Sequence, residues 1–200
     1  MRPVILLFAK APEPGRVKTR LAAAIGTQAA VELHKLFVHT MLDRLPRFGE
    51  VELHLDTPTD IFFRENVSQA LQSPGHLGDR MLHALAPRLP ALLLGSDSPT
   101  VPDAHLIAML KATADVTLAP ADDGGYWAIA ARRTHPAMFT GVRWSTEHTL
   151  ADTVAACEAA GLTVALGPAW FDVDEAPDLA RIAEFLAQNG RTEHLLFHGT

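Results

Sequence analysis

Short apolar runs and longer amphipathic stretches alternate along the whole chain. Val4–Phe8, Val51–Asp56, Ala91–Gly95, Val116–Ala119, Trp127–Ala131 and Thr163–Leu166 read as strands. Ala91-Leu92-Leu93-Leu94 is apolar at every position, the pattern of a strand covered on both faces. Helices are predicted between them, over Thr27–Leu45, Asp60–Leu71, Asp79–Leu89, Pro102–Ala114, Thr146–Ala160 and Pro177–Gln188. In the first of these, Leu33, Leu36, Phe37, Val38, Met41 and Leu45 broadly follow the helical repeat. This alternation predicts an α/β protein, a three-layer α/β/α sandwich around a mainly parallel sheet. Ligands in such folds bind beyond the carboxyl ends of the strands, so polar residues directly after strands are the candidates for chemistry.

Composition narrows the class. The 200 residues are 48% apolar and 20% charged, with a net charge of -6, enough for a full core and the size of one domain spanning 1–200. An acidic chain without a broad basic face argues against nucleic acid or a membrane surface as partner. Cys157 is the sole cysteine, which excludes an internal disulfide and fits a reducing compartment. Lys10 and two prolines interrupt the first apolar run too early for a signal peptide, and no run reaches membrane-spanning length. A cytoplasmic enzyme is expected.

Against that acidic background, four of the seventeen Lys and Arg residues fall within positions 10–20, directly after the first strand. Lys10, Arg16, Lys18 and Arg20, with Pro14 stiffening the loop and Gly15 allowing close backbone approach, make a candidate anion cradle. The loop is neither a Walker A motif nor a dinucleotide fingerprint, and the competing reading is a solvated surface loop.

Five further segments follow strands or open helices. Gly95-Ser96-Asp97-Ser98-Pro99 puts a carboxylate at a strand end, suited to a hard cation such as Mg²⁺ unless Asp97 or Ser98 only caps a helix. Within Asp172–Asp178, Asp174 is the second candidate metal ligand with Asp172 as fallback, while Glu175 and Asp178 suit the start of the last helix. Asp122-Asp123-Gly124-Gly125-Tyr126 has the composition of a tight turn, but its carboxylates could supply a general base and its aromatics a sugar or acceptor pocket. Arg80 near a helix start and Trp144 before another are weaker candidates for base, phosphate or cleft contacts. His194 and His198 have chelating spacing but no third ligand nearby and read as a surface tail, and Cys157 reads as a small core residue.

Taken together, Phe8–Leu21, Gly95–Pro99, Asp122–Tyr126, Trp144-Ser145-Thr146 and Asp172-Val173-Asp174 resemble a bacterial GT-A-like family long carried as a domain of unknown function. Its members are labelled glycosyltransferases by analogy, and some are linked to arsenosugar biosynthesis. The resemblance spans nearly the whole chain and implies a nucleotide-diphospho-sugar transferase (GT-A, Rossmann-like) fold with Mg²⁺ or Mn²⁺ on Asp97 and Asp174. Ser96 stands where a D-x-D motif would carry its first acid. The expected function is metal-dependent glycosyl transfer from a nucleotide or nucleotide-sugar donor to a small-molecule acceptor. Lys18 and Arg20 would sit on phosphate, and Asp123 or Asp122 would act on the acceptor hydroxyl. The alternatives are a nucleotidyltransferase that releases pyrophosphate, as in the wider superfamily, and a catalytically silent nucleotide-binding module.

Overall fold

The computed structural model describes residues 2–188. Strands β1 (Val4–Ala9), β2 (Glu50–Leu55), β3 (Ser68–Leu71), β4 (Ala91–Gly95), β5 (Val116–Pro120), β6 (Tyr126–Ala131) and β7 (Val164–Leu166) form one seven-stranded sheet in the order β3-β2-β1-β4-β6-β5-β7. Only β6 runs against its neighbours β4 and β5; every other pairing is parallel. Helices α1 (Thr19–Ile25), α2 (Thr27–Arg44), α3 (Leu77–Leu85), α4 (Asp103–Leu110), α5 (Thr149–Ala159) and α6 (Ala176–Gln188) fill the connections. The mainly parallel α/β sandwich expected from the alternation is therefore what forms.

Strand periodicity divides the core. On β1, Ile5 and Leu7 join Leu53, Leu94, Val38 and Met41 on one face, while Leu6 and Phe8 join Leu93, Ile129, Leu85 and Cys157 on the other. Both faces are apolar and covered, which is why these strands carry continuous rather than alternating hydrophobic runs. A third, smaller cluster of Leu21, Phe37, Phe171, Val173 and Ile182 ties α1, α2 and α6 to the stretch before α6. It fixes the chain that leaves β1 against the chain that enters α6.

Some assignments and boundaries differ from expectation. Residues 60–71 are not helical: the chain turns through 60–67 and then pairs as β3 with the outer side of β2. Phe63, Val67 and Leu71 imitate a helical repeat, but only Val67 is buried, and Phe63 and Leu71 stand in solvent. Pairing with the open edge of β2 satisfies backbone groups that a lone, half-exposed helix would satisfy without burying more. Helix α1, which opens at Thr19 after Lys18, is short, and Gly26 separates it from α2. Helix α5 begins at Thr149 rather than Thr146, because Thr146 and Thr149 fold back on the carbonyl of Arg143. Cys157 is fully buried, as expected. Among the described residues no helix is long and apolar enough to cross a membrane. His194 and His198 lie outside the described residues.

Candidate active site

Strands β1 and β4 are parallel neighbours ending side by side, Phe8 opposite Gly95, so the segments leaving them open on the same edge of the sheet. After β1 the backbone is fixed by Asp56, just beyond β2, whose carboxylate accepts from the Ala11 N–H at 2.7 Å and from the Arg16 guanidinium at 3.0 Å. Arg16 also donates to Glu13 at 2.7 Å. Lys10 Nζ donates to the Arg16 carbonyl at 3.3 Å, and the buried His34 ring bonds the Lys10 carbonyl at 2.9 Å. Burial holds the His34 ring below the ordinary histidine pKa, so it stays neutral there. Arg16 thus fastens the loop. Pro14 and Gly15 form its exposed turn and do not line the cleft.

Lys18 is the pivot of the opposite wall. It has a left-handed backbone (φ 47°), rare for a side chain of its size, and its side chain is only 3% exposed. Nζ donates to the Val173 carbonyl at 2.7 Å and to Asp174 Oδ1 at 3.0 Å, and makes a close ion pair with Asp97 Oδ1. An ammonium has three protons, and these three acceptors use them all. Burial alone would lower the lysine pKa, but Asp97 and Asp174 outweigh it and raise it. Burial likewise opposes the charge of Asp97, and Lys18 more than compensates, holding that carboxyl below its usual range. The backbone sets this meeting: Val173 N–H donates to the Asp97 carbonyl at 2.9 Å, and Ser98 Oγ lies 3.1 Å from the Phe171 carbonyl and 2.5 Å from Asp172 Oδ1. Asp178 caps α6 through the N–H groups of Asp174 and Glu175, at 3.0 and 2.8 Å. That leaves the Asp174 side chain free to face Lys18.

The far rim comes from the β5–β6 turn and the segment before α5. Asp123 Oδ1 accepts from the Gly125 N–H at 2.8 Å and closes the turn. A Cβ on Gly124 (φ +84°) would lie 2.3 Å from the Glu147 carbonyl oxygen, so only glycine lets the two segments touch. Trp144 packs edge-on against Phe139, ring centroids 5.7 Å apart, over Gly78 at the start of α3. Arg80 Nε donates to the Gly75 carbonyl at 3.0 Å, leaving part of its guanidinium beside Gln72. Asp122 turns away to pair with Arg181 at 2.8 Å and does not line the cleft.

One cleft of about 530 Å³ collects these groups. Arg20 and Asp97, Lys10 and Arg80, Ser96 and Asp174, Asp123 and Gly125, and Tyr126 and Trp144 all line it. Gly124 acts from behind, as the hinge of its turn. Asp122, expected as an alternative to Asp123, is the clear misplacement: adjacent residues of a tight turn point in different directions, and Arg181 on α6 claims the first of them.

A family model described as an uncharacterized protein conserved in bacteria (DUF2064) matches residues 47–146, half of the chain. The chain belongs to the DUF2064 family. The matched region carries Asp97, the β5–β6 turn and Trp144, whereas the cation loop and Asp174 lie outside it. Among solved structures, a protein from Desulfovibrio desulfuricans G20, provisionally assigned as a nucleotide-diphospho-sugar transferase, superposes with a TM-score of 0.80 at 29% identity, covering 96% of this chain and 97% of its own. The inositol-1-phosphate CTP transferase of T. maritima matches at TM-score 0.57 and 12% identity (96% and 97% covered). A homologue from mycobacterium sp. strain JC1 of a Mycobacterium tuberculosis protein gives 0.54 and 15% (94% and 100%). These last two show the shared fold. No curated protein matches the sequence.

The expected divalent ion can be tested against this geometry. Carboxylate oxygens suit Mg²⁺ or Mn²⁺ in kind. However, no group of three or more His, Cys, Asp or Glu among the described residues is arranged to hold an ion. The point that Asp97 and Asp174 share is filled by the Lys18 ammonium. As they stand, these residues do not fit a divalent ion. Asp56, Gln72 and His34 also shape the cleft, and the sequence alone does not single them out. A carboxylate one residue beyond β2 is a signal that could flag Asp56. Gln72 is hidden by the false helical repeat of residues 60–71.

Proposed function

We propose that this DUF2064 chain is a transferase acting on a nucleotide-diphosphate sugar, moving the sugar to a small-molecule acceptor hydroxyl. The supporting observation is that the cations after β1 and the acids after β4 and before α6 share one cleft with Asp123 and two aromatics. The likeness to the D. desulfuricans structure over nearly the full chain supports the same class. In this reading Lys10, Arg20 and Arg80, with N–H groups of the loop, bind the donor diphosphate and stabilise the charge that grows on it as the anomeric C–O bond breaks. Asp123 accepts the acceptor hydroxyl proton as the new glycosidic bond forms. Trp144 and Tyr126 give the sugar or acceptor an apolar wall.

The test is a thermal-shift screen of nucleoside diphosphates, nucleotide sugars and nucleoside triphosphates, followed by product analysis with the best ligand. A ligand that binds only the native state raises the melting temperature as its concentration exceeds its dissociation constant. Stabilisation by a nucleotide sugar and release of nucleoside diphosphate are expected. Release of pyrophosphate from a triphosphate would assign nucleotidyl transfer instead, and tight binding without turnover would leave a binding module.

A further inference from the structure

We infer that Lys18 is the resident cation of this cleft, an ammonium that takes the place between Asp97 and Asp174 where a divalent ion would otherwise sit. This rests on the transferase reading only in what it says about nucleotides; its claim about the free protein stands on geometry alone.

Three observations carry it. First, Lys18 contacts both carboxylates through one nitrogen, so the point the two acids share is the nitrogen itself. A metal bound there must evict it, and a metal on the outer carboxylate oxygens would stand close beside a like charge. Second, Lys18 is locked. All three of its protons are used, the third by the Val173 carbonyl at 2.7 Å, and its Nζ lies 5.4 Å from the centre of the Phe37 ring, within cation–π range. Third, the backbone of Lys18 is held at positive φ, a conformation that an ordinary solvent-facing lysine has no reason to keep. The scaffold spends strain on delivering this ammonium to this point.

The consequences concern charge and position. The acid pair is neutralised by the chain rather than by an added ion, so a donor diphosphate meets cations supplied by Lys10, Arg20 and Arg80. Nucleotide binding then needs no divalent metal. Lys18 acts as a positioning residue: it fixes the two acids and joins the loop after β1 to the stretch before α6.

The experiment is a titration of the full-length protein with Mn²⁺ alone, read by electron paramagnetic resonance, for the wild type, Lys18→Met and Asp97→Asn. The wild type is expected to show no saturable site below about 1 mM Mn²⁺, whereas Lys18→Met, which uncovers the acid pair, binds at least about tenfold more tightly. Sub-millimolar binding by the wild type that Asp97→Asn abolishes would overturn the inference. Should Lys18→Met fail to melt cooperatively, calorimetry of uridine and guanosine diphosphate with the wild type decides. Equal affinity within about twofold in EDTA and in excess Mn²⁺ supports a built-in cation, and a gain of about tenfold or more with Mn²⁺ refutes it. If neither nucleotide binds under either condition, the transferase reading falls, while the Mn²⁺ titration of the free wild type still decides whether Lys18 holds the cation position.

Discussion

The rim between β1 and β4 is pinned by one buried cation, Lys18, whereas the rim formed by the β5–β6 turn and residues 143–149 holds Asp123 through a backbone turn and leaves it in solvent. On the first rim Lys18 is 3% exposed, and the acids it touches are 43% and 44% exposed. On the second, Asp123 is exposed and braced by an N–H of its own turn. A buried ammonium resists rearrangement because parting it from its acids strands a charge in a poorly solvated place. A turn with an exposed acid can shift to admit a ligand at little cost. On the proposed reading this makes the donor side fixed and the acceptor side more adaptable.

The sharpest way to break the first rim is to empty the apolar cluster beneath it. Leu21 is fully buried against Phe37, Phe171 and Val173. Leu21→Ala should cost about 3 kcal/mol in urea unfolding, the usual range for a buried leucine. It should also weaken nucleotide binding, because the cluster is what seats Lys18 beside Asp97. A loss below about 1 kcal/mol would mean that the ion pairs, not the cluster, hold the rim together.

The second rim is tested by chemistry rather than stability. Asp123→Asn should lower turnover at least about a hundredfold with an unchanged melting temperature, as expected for loss of a general base. Asp122→Asn, whose carboxylate faces Arg181, should stay within about twofold of the wild type. Equal losses from both would remove Asp123 from the mechanism. Gly124→Ala sits between the two rims in effect. The added Cβ must push Glu147 away at a positive φ, at a cost of about 2 kcal/mol, and should slow turnover by loosening Asp123. Arg20→Ala should have a smaller effect still. Its guanidinium is 69% exposed and 3.6 Å from an exposed Glu175, so stability should hardly move while donor affinity drops about tenfold.

The same contrast explains what could be read from the residues alone. β1 and β4 are apolar runs buried on both sides and β2 alternates Val51, Leu53 and Leu55 with polar residues, so the pattern finds all three with boundaries good to a residue, and the loop after β1 stands out by charge density alone. β3 and the partners of Lys18 depend on neighbours far along the chain. Ser68–Leu71 is a strand because β2 has an open edge, and Lys18 meets Asp174 across 156 positions. Local chemistry puts Lys18 on phosphate, and only the Phe37–Val173 packing reveals that its protons are already taken. Asp122 and Asp123 are indistinguishable in sequence, and Arg181 separates them.

Asp172 gives the smallest and most specific prediction about the buried rim. Burial, reinforced by the nearby charges of Asp97 and Asp174, pushes its carboxyl up to about 7, against a hydrogen bond from Ser98 and the opposing pull of Lys18. A hydroxyl has one proton, and Ser98 Oγ lies near both the Phe171 carbonyl and Asp172. A protonated Asp172 completes both bonds by donating to Ser98 while Ser98 donates onward. The folded state therefore binds this proton more tightly than the unfolded chain, where the carboxyl titrates near 3.8. Stability must then fall as pH rises from about 4 to about 7, with the full penalty present above 7 and none below 4. Asp172→Asn carries no charge to titrate and should escape that penalty. Because the acid lines an open cleft, the gain should be about 1 kcal/mol rather than the full linkage value. Melting curves of both proteins at pH 5 and pH 8.5 check it. The variant should match or trail the wild type at the lower pH and overtake it at the higher. A difference that does not change with pH would show that Asp172 is already ionised in the folded protein, and that the first rim tolerates a third negative charge.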